Sequence, residues 1–472
     1  MKITSGEEYI SSLKDGRKVW LDGEEISDVT THRTLKPTLT TLARYYDMVN
    51  DPSYDDVLRF TSPSTGDRVS VFIEMPRSKE DLLRRRKALE VVMREFGGLM
   101  TRFPEYAQGL MVGIMDVKDE LAKGDKSFGT NVENWYVQMR ESDAFAVSAL
   151  NDPQIDRGQG IEGQGGLKVV ERKADGVVVR GTRTISTNAP FANACLCLRK
   201  PVPAEATDYC IDFVTPLDAA GLKIVCRPSL GNGRGRGGLS SQYDEPDAAL
   251  VFDDVLVPKE NIVLLGTPEI ITKTFGRVTS WSPYHDLIRS ITKAELLLGI
   301  TSLIVEYIGT TKFQLVMTDL TEMIEYVETL RTFARAAEAD FETTPSGNVA
   351  PNHAILNMSR LYYTRNYPKM IGLMHKLSGQ SLMTALTQPY FDQQEILPYL
   401  EKYFGGPKVT AKDKAKLFGV AWDLSCGDFA GRQALYELFN VSAEHTLRDR
   451  LIKTYDRSPY VELAKRIAGI EQ

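Results

Sequence analysis

The stretch LSSQYDEPDAALVFDDVLVPKENIV, residues 239–263, decides the fold because it predicts a β-strand between two long helical regions. Acidic residues crowd around its apolar centre, and Pro258 ends the strand. Upstream, β-branched runs follow residue 166, and Ala174-Asp175-Gly176 predicts a hairpin between two of them. We therefore expect a middle β-domain over residues 151–275.

The regions on either side of this β-domain have helical periodicity. Ser78, with Asp81 three residues further on, is a capping-box pattern ahead of an apolar run. We expect an N-terminal helical domain over residues 1–150 and a C-terminal bundle over residues 276–472, with further helices near 351–377, 411–424 and 430–440. The C-terminal region also contains an a/d seam, formed by Met323, Val327, Leu330, Ala334, Ala337 and Phe341.

Composition excludes several classes of function. The chain has 472 residues, 42% of them hydrophobic, and a formal net charge of −6, so its charge gives no reason to bind nucleic acid or an anionic membrane. No apolar run approaches the length of a membrane helix, and the N-terminus lacks a signal-peptide core. The five cysteines lack metal-ligand spacing, so we expect no metal site and free thiols in a cytoplasmic protein.

Two glycine-rich motifs are misleading. Residues 158–163 match G-x-G-x-x-G, but a helix precedes them and a strand follows, which is the reverse of a dinucleotide-binding site. The run GNGRGRGG at 231–238 is one short copy within an acidic protein, and we expect a mobile loop over a pocket there. No G-x-S-x-G, HExxH, Walker A or CxxC pattern occurs, so hydrolase, zinc-enzyme and NTPase functions have no local support.

Two places carry residues suited to chemistry. In SWSPYHDL we expect Ser282 to cap a helix, Pro283 to begin it and His285 to lie in its first turn, where the helix dipole disfavours imidazolium and leaves a ring able to accept a proton. Arg102 and Tyr106 lie four apart in TRFPEY and suit an oxyanion or a flavin edge. From the residues alone, a core or capping histidine and a surface cation beside a packing tyrosine remain open alternatives.

Seven ordered segments, spread over more than 400 residues, carry a resemblance to a known family. The sequence resembles the two-component, reduced-flavin-dependent aromatic hydroxylases of the 4-hydroxyphenylacetate 3-monooxygenase large (oxygenase) component family. The segments are GEEYISSLKDGRKVWLDGEEISDVTTH, GGLMTRFPEY, NDPQIDR, VVRGTRTISTNAP, LSSQYDEPDAALVFDDVLVPKENI, YHDLIRSITKAELLLG and FAGRQALYELF.

The resemblance implies an α+β, acyl-CoA-dehydrogenase-like fold with an N-terminal helical domain, a middle β-barrel and a C-terminal four-helix bundle, usually as a homotetramer. It implies a monooxygenase that takes FADH2 from a separate NAD(P)H-flavin reductase and hydroxylates a phenol, or a similar electron-rich arene, through a flavin C4a-hydroperoxide formed with O2. N-hydroxylation, dehalogenation or denitration on the same scaffold is an alternative, and a non-enzymatic flavin-binding protein is a further one.

The resemblance also assigns residues to the site. Arg102 and Tyr106 match residues near the substrate hydroxyl and the peroxide, and His285 matches a histidine that serves as the phenol base in the halophenol-hydroxylating branch. Flavin contacts are implied for Ser148, Ala149, Leu150, Gln154, Ile155, Asp156, Arg157, Thr187, Gly427, Asp428, Phe429, Ala430 and Arg432.

Two departures from the family pattern bear on the substrate. Ser148 stands where the 4-hydroxyphenylacetate enzymes have a histidine that binds the phenolic oxygen, and RKPVPAEATDY lacks the Ser-Thr pair that would receive a carboxylate. We therefore expect a substrate other than 4-hydroxyphenylacetate, with His285 doing the deprotonation or the substrate lying differently. A related iron–sulfur dehydratase needs cluster cysteines near residues 95–105, and this chain has no cysteine before Cys195.

Overall fold

Helices make up most of the N-terminal region. The structure, a computed structural model, describes residues 2–156, 158–231, 236–440 and 442–470. The predicted capping box is confirmed, because the Ser78 hydroxyl accepts from the backbone N–H of Asp81 and the Asp81 carboxylate accepts from that of Ser78. The helices of this region are α1 (Gly6–Ser12), α2 (Lys36–Val49), α3 (Asp55–Leu58), α4 (Lys79–Glu95), α5 (Pro104–Asp116), α6 (Lys118–Leu121) and α7 (Lys126–Ser142).

The strands of the middle region form two larger sheets. One is six-stranded with the order β2-β1-β10-β11-β7-β6, and the other is four-stranded with the order β12-β9-β8-β5. The strands are β1 (Lys18–Leu21), β2 (Glu24–Ile26), β3 (Arg59–Thr61), β4 (Arg68–Ser70), β5 (Ala146–Ala149), β6 (Lys168–Arg172), β7 (Gly176–Thr187), β8 (Ala194–Cys197), β9 (Ile211–Pro216), β10 (Leu222–Cys226), β11 (Asp247–Pro258), β12 (Ile262–Leu265), β13 (Glu342–Thr343) and β14 (Val349–Ala350).

Both sheets are open in the part of the chain that the structure describes. The predicted closed β-barrel is therefore corrected, because the middle region forms a pair of sheets instead. The physical reason lies at the edges of the smaller sheet. Helix α5 packs on its edge strand β5 and helix α7 on its edge strand β12, so helices cover the edges that would otherwise have to pair.

The stretch that decided the fold forms the centre of the larger sheet. Strand β11 pairs antiparallel with β10 on one side and with β7 on the other, and it ends at Pro258 as predicted. The predicted hairpin is also confirmed, because β6 and β7 pair antiparallel around residues 173–175.

Strands also occur inside the region expected to be helical. Strand β1 pairs in parallel with β10, and β5 pairs in parallel with β8, so the first 150 residues contribute to both larger sheets. The purely helical interpretation of residues 1–150 is therefore wrong, because such short strands are defined by distant partners rather than by local periodicity. The domain boundaries at residues 150 and 275 stay a prediction.

The C-terminal region is a helical bundle. Helices α10, α11 and α12 pack against one another, and α14 packs on α10 and α12. The first five residues of the predicted seam are buried on α11, whereas Phe341 lies beyond its end and is 38% exposed. The helices from the middle of the chain onward are α8 (Leu239–Gln242), α9 (Pro268–Val278), α10 (Trp281–Tyr307), α11 (Gln314–Ala339), α12 (His353–Ser378), α13 (Leu397–Phe404), α14 (Ala411–Ser425), α15 (Asp428–Phe439), α16 (Glu444–Thr454) and α17 (Ser458–Ala468).

Three further expectations concern membranes, thiols and the Arg-Gly loop. Across the described ranges, no helix has both the length and the apolar character needed to cross a bilayer. All five cysteines are free thiols, and those of Cys195 and Cys197 lie 3.7 Å apart on strand β8. Residues 232–235 of the loop expected at 231–238 lie outside the described residues, but the end of the loop is fixed to α14, because Asp423 accepts from the backbone N–H groups of Arg236 and Gly237.

Candidate active site

Helices α5 and α10 place Tyr106 and His285 side by side. Helix α5 begins at Pro104, which suits the first helical position because its missing N–H would have no partner there. Glu105 and Tyr106 therefore lie in the first turn of α5. The Tyr106 and His285 rings meet edge to face, with their centroids 5.1 Å apart.

The predicted start of α10 is wrong. The helix begins at Trp281 after Ser280, so Ser282 and Pro283 are its second and third residues and His285 is its fifth. The backbone N–H of Ser282 bonds to the carbonyl of Thr279, because the short connection from α9 is already turning there. Pro283 is tolerated because the N–H groups of a first helical turn have no partner within the helix.

Two buried carboxylates lie beside His285 and shift its pKa. Its Nε2 lies 3.0 Å from Glu105 Oε1, and its Nδ1 lies 3.9 Å from Asp286 Oδ1. Burial alone lowers the pKa of His285, but the hydrogen bonds and charges of Asp286 and Glu105 outweigh it, so the pKa is raised above its ordinary value. The downward shift predicted from the helix dipole is therefore wrong in direction, because two full charges outweigh the partial charge of a helix end.

Arg102 is held in one orientation beside Tyr106. Its guanidinium carbon lies 3.6 Å from the centre of the Tyr106 ring. Its Nη1 donates to the Thr101 carbonyl at 2.7 Å and to the Tyr436 hydroxyl at 2.6 Å, and its Nη2 donates to Asn440 Oδ1 at 3.1 Å. The Tyr436 hydroxyl in turn donates to Asp286 Oδ1 at 3.3 Å, which links the Arg102 and His285 sides of the site.

Acidic residues beside strand β11 tie three parts of the chain together. Glu245 accepts from the backbone N–H groups of Thr101 and Arg102 at 2.7 and 2.8 Å, and from Arg432 Nη1 at 2.9 Å. Asp247 accepts from the Thr187 hydroxyl at 2.8 Å and from two nitrogens of Arg432. Burial on its own raises the pKa of Asp247, but pairing with Arg432 and Arg227 lowers it by more, so the net shift is downward.

Thus three predicted site residues, Arg102, Thr187 and Arg432, are brought together by two acidic residues that the sequence interpretation did not assign.

The predicted flavin-contact residues near 150 lie on strand β5 and in the segment that follows it. Ser148 and Ala149 are buried on strand β5, and Leu150 is partly buried after it. Gln154, Ile155 and Asp156 are exposed, and Arg157 lies outside the described residues. Asp152 forms ion pairs with Arg183 and Arg199, which are buried, so the start of this segment is held to the sheets.

The remaining predicted flavin contacts lie at the start of α15. Gly427 is the N-cap residue, Asp428 is exposed, and Phe429 and Ala430 are buried. No side chain caps this end of the helix in the described structure, so its first N–H groups stay available. Arg432 lies one turn further along, which connects this turn to the Arg102 network.

Sequence reasoning missed Glu105, Asp286, Tyr436, Glu245 and Asp247. A partial signal existed, because Glu105, Asp286 and Tyr436 stand inside or beside the segments that identified the candidate site. Glu245 and Asp247 belong to the acidic run in the stretch that decided the fold, and both of these carboxylates pair with Arg432.

This arrangement occurs in a chain whose two parts match one known family. The description "4-hydroxyphenylacetate 3-hydroxylase N terminal" matches residues 5–264, and "4-hydroxyphenylacetate 3-hydroxylase C terminal" matches residues 273–469. The chain belongs to the 4-hydroxyphenylacetate 3-hydroxylase family. The family resemblance seen in the sequence is confirmed, and the chain is an enzyme of the two-component, flavin-dependent monooxygenase class.

Individual relatives of this hydroxylase family member align over nearly its full length. The 4-hydroxyphenylacetate 3-monooxygenase oxygenase component of Thermus thermophilus is 31% identical over 468 residues, covering 97% of this chain and 96% of the relative. The 4-nitrophenol 4-monooxygenase/4-nitrocatechol 2-monooxygenase oxygenase component of Rhodococcus opacus is 30% identical over 488 residues, covering 99% and 93%.

Solved structures confirm the predicted fold. A crystal structure of the oxygenase component of 4-hydroxyphenylacetate 3-monooxygenase complexed with FAD has a TM-score of 0.93 and 30% identity, and covers 98% of both chains. Glutaryl-coenzyme A dehydrogenase shares the fold alone, with a TM-score of 0.51 and 14% identity over 84% of this chain and 81% of the other. The acyl-CoA-dehydrogenase-like architecture of this hydroxylase family member is therefore confirmed.

Proposed function

We propose that the chain is an oxygenase component that uses FADH2 and O2 to hydroxylate a phenolic or similarly electron-rich aromatic substrate, with FADH2 supplied by a separate NAD(P)H-flavin reductase. The observation that carries the proposal is the convergence of Thr187, Arg102 and Arg432 at one place, beside Tyr106 and His285. These residues come from a strand, a loop, an N-terminal helix and two bundle helices, and only the folded chain joins them.

The residues at this place fit a flavin. Thr187 lies on strand β7, Gln154 is exposed beside β5, and the start of α15 leaves N–H groups that suit a phosphate. Ile185, two residues before Thr187, has a positive φ of 58° and is 60% exposed. Such strain is uncommon for a β-branched residue and concentrates at functional sites. When bound, reduced flavin supplies, with O2, the oxygen atom that is transferred to the ring.

Arg102 supplies a fixed positive charge in this site. Its contacts with Thr101, Tyr436 and Asn440 hold the guanidinium against the Tyr106 ring, so it needs no reorganisation when negative charge develops nearby. We assign it to stabilising oxyanionic character on the substrate or oxidant. Tyr106 forms the wall between this cation and His285.

His285 is the group that we assign to take the phenolic proton. A phenolate pushes electron density to its ortho and para carbons, which is where oxygen transfer needs it. Ser148, at the position of the family histidine, cannot titrate near neutral pH. The base must therefore come from elsewhere, and His285 beside Tyr106 is a buried titratable group at this place.

A product assay tests the proposal. Purified protein, FADH2 and O2 are supplied with a panel of phenols, halophenols, nitrophenols and anilines, and products are identified by mass spectrometry. A mass gain of one oxygen on the ring supports hydroxylation, whereas loss of halide or nitrite, or oxygen on nitrogen, supports the alternative chemistries. A protein that does not bind reduced FAD contradicts the proposal. Arg44→Ala, which breaks an exposed ion pair with Glu95, serves as a control variant and should give the same products as wild type.

We further propose a homotetramer, a dimer of dimers, in the cytoplasm. The tetramer is supported by exposed apolar side chains on the last helices, since Leu435 and Phe439 of α15 are 60% and 58% exposed and Ile467 of α17 is 80% exposed. Light scattering coupled to size exclusion tests it, and a monomer would contradict it. The five free thiols support a reducing compartment.

A further inference from the structure

The two ring nitrogens of His285 have different surroundings. Nε2 lies 3.0 Å from Glu105 Oε1, and because a carboxylate accepts hydrogen bonds, Nε2 is the donor in this pair. Nδ1 is buried and has no hydrogen-bond partner among the described residues, and the nearest carboxylate oxygen, Asp286 Oδ1, is 3.9 Å away. The nitrogen left to exchange a proton with a substrate is therefore Nδ1.

Glu105 is buried beside this ring. It lies in the first turn of α5, directly after Pro104, and is 2% exposed. Its second oxygen, Oε2, has no partner in the described structure. Glu105 and His285 both line a cavity of about 10 Å³ together with Arg85 and Ser282, which is room for about one water molecule. Its Oε1 oxygen therefore contacts His285, and no Lys or Arg among the described residues forms an ion pair with it.

The neighbouring carboxylate, Asp286, has other partners besides His285. It accepts from the Tyr436 hydroxyl at 3.3 Å and lies 3.9 Å from Arg289 Nε. Burial raises its pKa, but His285, Arg102 and Arg289 together outweigh burial and lower it. The charge of Asp286 is thus shared among several partners, whereas Glu105 makes the shorter contact with the His285 ring, at 3.0 Å against 3.9 Å for Asp286.

We propose that Glu105 is a positioning residue for the reaction, which orients His285 so that Nδ1 receives the proton of the phenol and which stabilises the imidazolium that forms. The proposal rests on the proposed function. In this step the phenol O–H bond breaks, an Nδ1–H bond forms and the electron pair stays on oxygen, so nothing is oxidised or reduced. The arrangement follows the logic of a carboxylate that orients a catalytic histidine.

Other charged and titratable groups on the packed elements lie around His285 or around its neighbours Tyr106 and Asp286. They are Tyr106 on α5, Arg85 on α4, Tyr284, Asp286 and Arg289 on α10, Arg360 and Tyr363 on α12, Tyr436 on α15, and Arg102 before α5. Of the cations, Arg289 pairs with Glu437 at 2.7 Å, and the guanidinium carbon of Arg85 lies 4.4 Å from the Trp281 ring centre. Among these groups and Glu105, Glu105 is the one that hydrogen-bonds directly to the His285 ring, so its removal is the direct test.

The first test measures the ring rather than the activity. The chain has five histidines, so labelled histidine resonances can be followed by NMR through a pH titration, with His285→Gln used to assign the signal. Glu105→Gln should lower the pKa of His285 by about one unit or more, because an opposite charge shifts a pKa by this amount. Glu105→Asp, which keeps the charge, should restore part of the shift.

A matched control removes a different buried carboxylate. Glu338 on α11 accepts from the Tyr284 hydroxyl at 2.8 Å and pairs with Arg86, but its described contacts do not include His285. Glu338→Gln should leave the His285 titration in place. An unchanged His285 titration in Glu105→Gln overturns the proposal, whether or not the proposed function holds, because this measurement needs no turnover.

The second test uses the acidity of the substrate. With a phenol that is protonated at the assay pH, Glu105→Gln should lower kcat/KM by about tenfold, the equivalent of one pKa unit. With a phenol that is already ionised, the loss should nearly disappear, because no proton has to be taken. Equal losses with both phenols would show a merely structural role. A wild-type protein that is inactive with every arene sinks the proposed function, and the NMR result still decides the role of Glu105.

Discussion

The two sides of the site differ in how completely their carboxylate oxygens are paired. On the Arg102 side, both oxygens of Glu245 and the Nη atoms of Arg102 and Arg432 have partners. On the His285 side, each carboxylate has a buried oxygen without a partner in the described structure, Glu105 Oε2 and Asp286 Oδ2, and His285 Nδ1 has none either. A buried polar atom without a partner costs free energy, so unpaired atoms persist where a ligand or water completes them.

This difference separates two tasks. A saturated network of charges holds one geometry and suits electrostatic stabilisation, which needs fixed charges. An incompletely paired network suits proton transfer, because the substrate supplies the missing partner. We therefore expect the Arg102 side to dominate folding and cofactor retention, and the His285 side to dominate the handling of the substrate.

The largest expected effect comes from Arg432→Ala. It leaves Glu245 and Asp247 buried without their shared cation, and breaking a buried pair in this way costs about 3–5 kcal/mol. Urea unfolding should show this loss in the free energy of unfolding, together with loss of FAD binding. Arg180→Ala breaks an exposed pair with Asp254 and serves as the control, with no measurable change expected. A fully stable Arg432→Ala protein would break the comparison between the two sides.

His285→Ala should affect turnover more than folding. We expect FAD affinity to stay within about threefold of wild type, because the described contacts of His285 are with Glu105, Asp286 and Tyr106 rather than with the Arg432 network. Product formation should fall by about 100-fold, a normal contribution of a general base, with hydrogen peroxide released instead. Both quantities come from one assay that measures product and peroxide per FADH2 consumed. Normal coupling in the variant removes His285 from the reaction.

Tyr436→Phe tests the link between the sides at a smaller scale. The hydroxyl that it removes accepts from Arg102 and donates to Asp286, so one hydrogen bond to each side is lost. We expect a loss of about 1 kcal/mol in the free energy of unfolding and a several-fold fall in kcat. If kcat does not change, the two sides work independently.

The sequence predicted what depends on neighbours in the chain. The capping box of Ser78 and Asp81, the hairpin at residues 174–176, the seam of α11 and the end of β11 at Pro258 all rest on short spacings. The family resemblance then placed Arg102, Tyr106 and His285 at one site, which periodicity alone did not do.

What the sequence missed depends on distant partners. Glu105 lies 180 positions from His285, and Asp247 lies 185 positions from Arg432. The direction of the pKa shift of His285 was predicted from its helix dipole alone, and Asp286 on the same helix together with Glu105 on α5 reversed it. Strand β1 was missed for the same reason, because its partner β10 follows some 200 residues later.

The smallest effect is the dependence of stability on pH, and it distinguishes the sides most cleanly. Because the folded-state pKa of His285 is raised, its imidazolium contributes stability below pH 6.5, and this contribution is lost as the pH rises through the folded pKa. The pKa of Asp247 is lowered, so its contribution is present above its ordinary value and is lost only in acid. Between pH 5.5 and 9, roughly the range where histidine but not aspartate or arginine titrates, only the His285 side should change.

The measurement is the difference in urea midpoint between wild type and His285→Gln at pH 5.5, 7 and 9. Both proteins retain His353, whose pKa burial lowers to about 4, so its opposite contribution cancels in the difference. We expect wild type to gain most over the variant at pH 5.5 and least at pH 9. A difference that is constant with pH would mean that the carboxylates do not hold a charge on His285, and the unpaired atoms around it would then need another explanation.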